Sequence, residues 1–261
     1  MEILNTRLPE NPFLDRLPGT RPVEAETWLK MDEVYAQQMS YRDQLIAERR
    51  DTVYRCDAGA EPAAQEVLER VVELIRAMPG FEVSKDTVTR PDGVTVDLHA
   101  EPPLITAGRL VQEDLCILEK RGGDEHVLTA GLLCFPASWS LDEKHMRSMS
   151  SIHVPVVDYD DRIGRGVQRM FDMLRPGTVL CRGNLLGYFD PELFTPRREN
   201  ERREHPQTGR APFLRAERQC LLVLPNTKAI LFSIHSYVVK TDDLEPDQAD
   251  LVSAALPRAL R

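Results

Sequence analysis

The order of strand and helix patterns in the second half of the chain constrains the fold most. Two apolar, β-prone runs in LCILEKRGGDEHVLTAGLLCFP are joined across Gly122-Gly123, which predicts an antiparallel hairpin. Short helical patterns follow in SWSLDEKHM and in DDRIGRGVQRMFDMLRPG. In the first, Ser140 and Glu143 have capping-box spacing, so a helix is expected from Leu141. Three more strands are predicted in TVLCRGNLLGYF, FLRAERQCLLVLP and AILFSIHSYVV. This order favours an α+β fold with one antiparallel five-stranded sheet and helices on one face.

The first hundred residues have a different pattern, dominated by two amphipathic helices. They are predicted in TWLKMDEVYAQQMSYRDQLIAERR and EPAAQEVLERVVELIRAMPG, and a short hairpin is expected around the turn in VTRPDGVTVDL. Neither a repeat nor a long Pro/Gly/Ser linker divides the chain. We therefore expect one domain over residues 1–261, with an N-terminal helical layer (1–100), a core whose strand order matches a PAS-type domain (101–240) and a C-terminal helix (245–261).

Composition excludes several classes of function. A net charge of -9 and a pI near 5.3 argue against a nucleic-acid groove, which needs clustered uncompensated Lys and Arg. The start MEILNTRLPE has no basic and apolar leader and no stretch approaches the length of a membrane helix, so a cytoplasmic location is expected. The five scattered cysteines include no Cys-x-x-Cys pair, which disfavours a structural zinc site or an iron–sulfur cluster in this chain.

Familiar catalytic motifs are also missing from the sequence. It contains no Gly-x-Gly-x-x-Gly after a strand, no phosphate-binding Gly-x-x-x-x-Gly-Lys, no His-Glu-x-x-His and no Gly-x-Ser-x-Gly. Nucleotide, dinucleotide and common hydrolase sites are therefore not expected.

Several segments together resemble a known family. They are VQEDLCIL, LLCFPASWSLDEK, SIHVPVVDYDDRIG, FLRAERQCLLVLPNTKAILFSIHSYV and the N-terminal RPVEAETWLKMDEVYAQQMSYRDQLIAER. In these the chain is similar to the heme-dependent oxidative N-demethylase α-subunit-like family, over nearly its whole length. The resemblance implies a PAS-like fold that binds heme b and uses O₂ to oxidise an N-methyl group of a small methylated amine, with release of formaldehyde. It also implies that NADPH, FMN and a [2Fe–2S] cluster act only through separate reductase subunits.

Heme iron needs an axial ligand from the protein, most often His and sometimes a Cys thiolate. His153 is the preferred candidate, because it lies in SIHVPV beside apolar residues and a rigid Pro. The alternatives are His145 on a short predicted helix, His235 in the last strand and Cys181 in a strand. His235 could instead be a cross-strand packing partner, and a buried Cys181 could be a small apolar core residue. His99, His126 and His205 fall near turns and are expected at the surface.

The remaining candidate site residues follow from strand alternation and from the chemistry of the expected ligands. Arg218 alternates with apolar residues and needs a carboxylate partner, either a heme propionate or a protein side chain. In a regular strand, Glu217 projects from the opposite face. An alkylammonium substrate would suit a carboxylate or an aromatic face, for which Glu217, Tyr159 and Trp139 are the candidates. Arg162 could reach a propionate, although neighbouring aspartates compete for it and could instead cap the helix that follows.

Two alternative functions are also compatible with the sequence. One is a heme-PAS gas or redox sensor without catalysis, although such sensors usually carry an output domain. The other is a PAS-like protein that binds no heme, and a visible absorption spectrum separates that case from the others.

Overall fold

The fold is built on one large antiparallel sheet and one small one. The computed structural model describes residues 2–9, 19–153, 161–199, 201, 211–250 and 252, and it gives only the backbone of residues 153, 161 and 162. The strands of the large sheet are β1 Arg21–Val23, β2 Tyr54–Cys56, β6 Asp114–Lys120, β7 His126–Leu132, β8 Val179–Tyr188, β9 Phe213–Val223 and β10 Ile230–Lys240. The small sheet consists of β3 Glu82–Val83, β4 Thr87–Thr89 and β5 Thr95–Asp97.

The large sheet has the order β1-β8-β9-β10-β6-β7-β2, and all its neighbouring strands are antiparallel. The five strands predicted from the sequence form its centre, where their spatial order is second, first, fifth, fourth and third. The sheet is nevertheless wider than predicted, because the three-residue strands β1 and β2 from the N-terminal part cover its two edges. Strands this short carry no recognisable alternation, yet they satisfy edge N–H and C=O groups that would otherwise be open to other chains.

The two predicted hairpins formed where the sequence places them. Gly122 has a φ of +76° in the turn between β6 and β7, a conformation that suits glycine, and β4 pairs with β5 around Gly93, whose φ is +83°. The helices are α1 Tyr35–Val53, α2 Glu61–Ile75, α3 Pro103–Gly108, α4 Leu141–Lys144, α5 Met149–His153 and α6 Asp161–Met173. The C-terminal helix predicted over 245–261 is helical at 246–250 and 252, and its remaining residues lie outside the described part.

Alternation along β9 divides the helices into two layers. Cys220 and Leu222 pack with α1, α2 and α3, whereas Leu221 and Val223 pack with Phe171 of α6. We call these sides of the sheet the α2 face and the α6 face. The helices between the core strands thus share one face, as predicted, and the N-terminal helical layer covers the other.

A buried ion pair ties the N-terminal layer to the sheet. Arg42 Nη1 of α1 lies 2.8 Å from Asp114 Oδ1 of β6, and both side chains are fully buried. Asp114 also accepts hydrogen bonds from the backbone N–H groups of Cys134 and Phe135, at 2.8 and 2.9 Å. The backbone that leaves β7 toward the α6 face is therefore fixed by a charged group in the core.

No helix in the described part of the chain is both long and apolar enough to cross a membrane.

Candidate functional site

Among the described residues, the side chains that β8 directs to the α6 face are only partly buried. Arg182, Asn184 and Leu186 are half-buried, whereas the residues that alternate with them, such as Cys181 and Leu185, are buried on the α2 face. By register, Arg182 lies opposite Gln219 of β9 and Asn184 lies opposite Glu217. The middle of the sheet therefore presents polar side chains toward a partly open region on the α6 face.

Glu217 is the anionic centre of this region. Its side chain is nearly buried, with the residue 5% exposed. Oε2 accepts hydrogen bonds from Gln219 Nε2 at 2.8 Å and from Asn184 Nδ2 at 3.4 Å, and Oε1 lies 3.8 Å from Arg215 Nη2. We call Arg182, Asn184, Arg215, Glu217 and Gln219 the β8–β9 polar cluster.

Arg215 neutralises Glu217 only in part, because its own donors are largely committed elsewhere. It donates to the carbonyl oxygens of Leu193, at 2.9 Å, and of Phe135, and to Ser236 Oγ at 3.2 Å. Phe135 is the residue whose N–H is held by the core carboxylate of Asp114. A chain of contacts therefore leads from the buried Arg42–Asp114 pair through Phe135 and Arg215 to Glu217.

Arg182 has an unmet hydrogen-bonding need. Its Nε is buried and has no hydrogen-bond partner among the described residues. Burial lowers the pKa of the Arg182 guanidinium, and the charge of Glu217 opposes that shift. Because a buried guanidinium donor is costly to leave unpaired, this position suits an anionic group such as a carboxylate.

An apolar surface occupies the same face as the polar cluster. Trp139, Met149, Ile152, Leu180 and Phe232 are partly buried and pack against the apolar cluster beneath α6. The α6 face thus combines an apolar surface with two guanidinium groups, a carboxylate and two amides, which is the mixture expected of a site for a cofactor or a small organic ligand.

The end of α5 is held in place by Lys144. Its ammonium group donates to the Ile152 carbonyl at 2.7 Å and lies 2.5 Å from Glu199 Oε1, although the Lys144 side chain is almost fully buried. Met149 and Ile152 place α5 against the α6 face. His153 ends this helix, and its side chain lies outside the described part.

The other predicted site residues divide between the two faces. Trp139 shares the α6 face with Glu217, Tyr159 lies outside the described residues, and only the backbone of Arg162, in α6, is described. Arg218 projects from the α2 face, as alternation predicted, and donates to the Trp28 carbonyl at 3.2 Å. Arg218 therefore cannot share a pocket with Glu217, and the cluster on the α6 face contains instead Arg182 and Arg215, which the sequence prediction did not select.

His235, an alternative ligand, is committed to two carboxylates. This fully buried residue of β10 has Nδ1 3.0 Å from Glu113 Oε1 and Nε2 3.1 Å from Asp32 Oδ2. Burial alone would lower its pKa, but the charge of Glu113 and the hydrogen bonds to Asp32 and Glu113 raise the pKa of His235 to about 9. Since carboxylates only accept, both ring nitrogens donate and neither has a lone pair free for a metal.

The remaining candidates have ordinary structural partners. His145 Nε2 lies 3.1 Å from the Thr129 carbonyl, and Cys181 is buried in β8. His99 is exposed, as expected, and His205 lies outside the described residues. The surface prediction for His126 was wrong, because it is buried on the α6 side, where it contacts Gln168 and its ring lies perpendicular to that of Phe171.

The sequence contains a signal for the β8–β9 polar cluster. In LCRGNLL, Arg182 and Asn184 alternate with residues that are buried on the other face, so the pattern already marked a strand with one polar side. Across the part of the chain that the structure describes, no group of three or more His, Cys, Asp or Glu residues is arranged to hold a metal ion.

Comparison with known families accounts for nearly the whole chain. The family model described as "Haem-dependent oxidative N-demethylase, alpha subunit-like" matches residues 19–261. This range includes the seven-stranded sheet, the β8–β9 polar cluster and all the segments that carried the resemblance in the sequence. The chain therefore belongs to the haem-dependent oxidative N-demethylase α-subunit-like family.

Proposed function

We propose that this chain is the heme-binding, catalytic subunit of an oxidative N-demethylase that acts on a small methylated amine and releases formaldehyde. One observation supports the proposal beyond family membership. On one face of the sheet, beside an apolar surface, lie Arg182, whose buried Nε has no partner among the described residues, and Glu217, a nearly buried carboxylate. The order of the five central strands supports a PAS-like core around this site.

The residues of the α6 face fit a heme. Trp139, Met149, Ile152, Leu180 and Phe232 would contact the macrocycle, which is apolar over most of its surface. Arg182 would pair with a propionate, since its Nε lacks a partner among the described residues, and Arg162 at the start of α6 is a second candidate for this role. Arg218, on the α2 face, is not included.

His153 is the residue that would hold the heme iron. It ends α5, the helix that Met149 and Ile152 hold against the α6 face and that Lys144 anchors at the Ile152 carbonyl. His235 is unsuitable, because both of its nitrogens face carboxylates. When bound, heme would supply the redox chemistry with O₂ that oxidises the N-methyl carbon.

Glu217 would bind the amine in its cationic form. Asn184 and Gln219 donate to its carboxylate and hold its orientation, while Arg215 is engaged mainly with backbone carbonyls. A partly compensated carboxylate in a nearly buried position attracts an alkylammonium group strongly, because little water competes there. Trp139 and Tyr159 would offer aromatic faces to the methyl groups.

Electrons would come from separate subunits that carry FMN and a [2Fe–2S] cluster and oxidise NADPH. The α-subunit designation of the family supports a partner of this kind.

The test begins with the absorption spectrum of the full chain expressed with a heme precursor. We expect a red protein with a Soret band, and His153→Ala should lower heme content or change the spectrum sharply. His145→Ala is the matched control and should leave both unchanged, since His145 contacts the Thr129 carbonyl. A colourless wild-type protein that does not take up hemin would overturn the proposal, and unchanged heme in His153→Ala would overturn the ligand assignment.

A second measurement separates an enzyme from a sensor. Small methylated amines are titrated into the red protein, and formaldehyde is then measured with O₂ and a chemical reductant. Spectral shifts together with formaldehyde support the demethylase. A heme protein that binds gases but neither responds to any amine nor forms formaldehyde would instead be a sensor.

A further inference from the structure

We propose that Cys181 and Cys220 form a peroxide-sensitive dithiol that closes to a disulfide between β8 and β9. The two residues are direct register partners in the antiparallel pair and both are free thiols. They lie on the α2 face, behind the β8–β9 polar cluster. This inference does not depend on heme binding or on demethylation.

The backbone geometry already suits the bond. Direct partners on antiparallel strands have Cα atoms roughly 4.5–5.5 Å apart, and disulfides span Cα separations of about 4.4–6.8 Å. Closure therefore requires only rotation of the two side chains.

The surroundings of Cys181 favour its thiolate. The contact with Cys220 lowers the pKa of the Cys181 thiol, burial opposes this shift, and the charges of Arg218 and Lys30 reinforce it. The same contact with Cys181, together with burial, raises the pKa of Cys220. The positive charge of Lys30 acts on Cys181, whereas the negative charge of Glu113 acts on Cys220, so we assign Cys181 as the attacking sulfur and Cys220 as the resolving one.

The remaining buried cysteines provide an internal contrast. Burial raises the pKa of the Cys116 and Cys134 thiols, and neither lies opposite another cysteine in the sheet. Cys181 and Cys220 are buried as well, but Arg218 on the same face is half-buried and the neighbouring Lys30 is exposed. Because both sulfurs are buried, the oxidant has to be small, and hydrogen peroxide, which is little larger than water, is the class that suits this position.

The reaction balances with peroxide alone. The Cys181 thiolate attacks one oxygen of H₂O₂, the O–O bond breaks, and the departing hydroxide takes a proton to become water, leaving a sulfenic acid. The Cys220 sulfur then attacks the sulfenic sulfur, and its own proton leaves with the second water. Two thiols lose two electrons and two protons in total, and one peroxide is reduced to two waters.

The crosslink would act on the candidate site through the backbone. Arg182 follows Cys181 directly, and Gln219, which donates to Glu217, precedes Cys220. A covalent bond between the strands at this point fixes the register on which the whole β8–β9 polar cluster depends.

The experiment uses the full chain with Cys56→Ser as background, because Cys56 is the partly exposed thiol. The protein is treated with hydrogen peroxide and mapped by mass spectrometry without reduction. We expect a 181–220 crosslinked peptide, the loss of two hydrogens in mass, and a higher Tm that dithiothreitol reverses. Adding Cys220→Ser should leave a sulfenic acid at Cys181 that dimedone traps.

The control adds Cys116→Ser and Cys134→Ser to the same background and should keep the crosslink. Peroxide treatment that oxidises Cys116 or Cys134 as fast as Cys181, or that converts Cys181 to higher acids without a 181–220 bond, would overturn the proposal. The peptide map of the Cys56→Ser protein decides this even if a buried serine variant does not fold.

Discussion

Replacing His235 by glutamine should remove a pH-dependent part of the stability of this fold. The imidazole lies between Asp32 and Glu113 with no exposed surface, and it donates from both ring nitrogens. These contacts join β10 to the residue before β6 and to the segment before α1. Glutamine has a similar reach but carries no charge, so it leaves two carboxylates with a neutral partner.

The magnitude follows from the difference between the folded and unfolded pKa of His235. The folded value of about 9 lies above the ordinary value of 6.5, so the protonated form is favoured by folding. This contribution is fully present below pH 6.5 and is lost as the pH rises through 9. At about 1.4 kcal/mol per pKa unit, the contribution is about 3 kcal/mol.

The assay is urea denaturation of wild type and His235→Gln at several pH values between 6 and 10. The free energy of unfolding of the wild type should fall by about 1.4 kcal/mol per pH unit between 6.5 and 9, relative to the variant. The two proteins should differ by about 3 kcal/mol at the low end and converge at the high end. His145→Gln, at a half-buried histidine without a carboxylate partner among the described residues, is the control and should follow the wild-type curve. A difference between wild type and His235→Gln that is the same at every pH would refute the charged state that we assign.

Three further predictions test the groups around the site. Arg42→Met leaves Asp114 as a buried carboxylate without its cation and should lower the free energy of unfolding by about 3–5 kcal/mol in urea denaturation. The double variant Arg42→Met with Asp114→Asn should lose less free energy of unfolding than the sum of the two single variants. In spectral titrations, Glu217→Gln should weaken amine binding by about 2 kcal/mol, roughly 30-fold in Kd, while the heme content stays unchanged. An amine affinity equal to that of the wild type would exclude Glu217 from the proposed amine site. Lys144→Met should speed hydrogen–deuterium exchange at residues 149–153, because the Ile152 carbonyl loses its ammonium donor, and unchanged exchange would show that α5 is held by packing alone.

The sequence predicted the five central strands because each is long enough to show its pattern. It also placed Glu217 and Arg218 on opposite faces, since a regular strand allows no other arrangement. The edge strands β1 and β2 could not be predicted, as their three residues acquire strand geometry only by pairing with β8 and β7.

Long-range polar contacts were invisible in the sequence for a different reason. His235 is separated from Glu113 by 122 residues and from Asp32 by 203, so no local pattern connects them. The same holds for the Arg42–Asp114 pair, which is set by how α1 packs on the sheet. Local patterning specifies which face a side chain occupies, whereas its partners depend on the tertiary arrangement.

The alternation in β8 has a consequence for how this family can diversify. Positions 181, 183 and 185 are buried on the α2 face, whereas 182, 184 and 186 are half-buried on the α6 face. Substitutions at the second set change the chemistry that a ligand meets while leaving the core packing on the α2 face intact. Under the proposed function, relatives with different amine substrates should therefore differ at 182, 184 and 186 more than at 181, 183 and 185. A library restricted to 182, 184 and 186 should test this at little cost in stability.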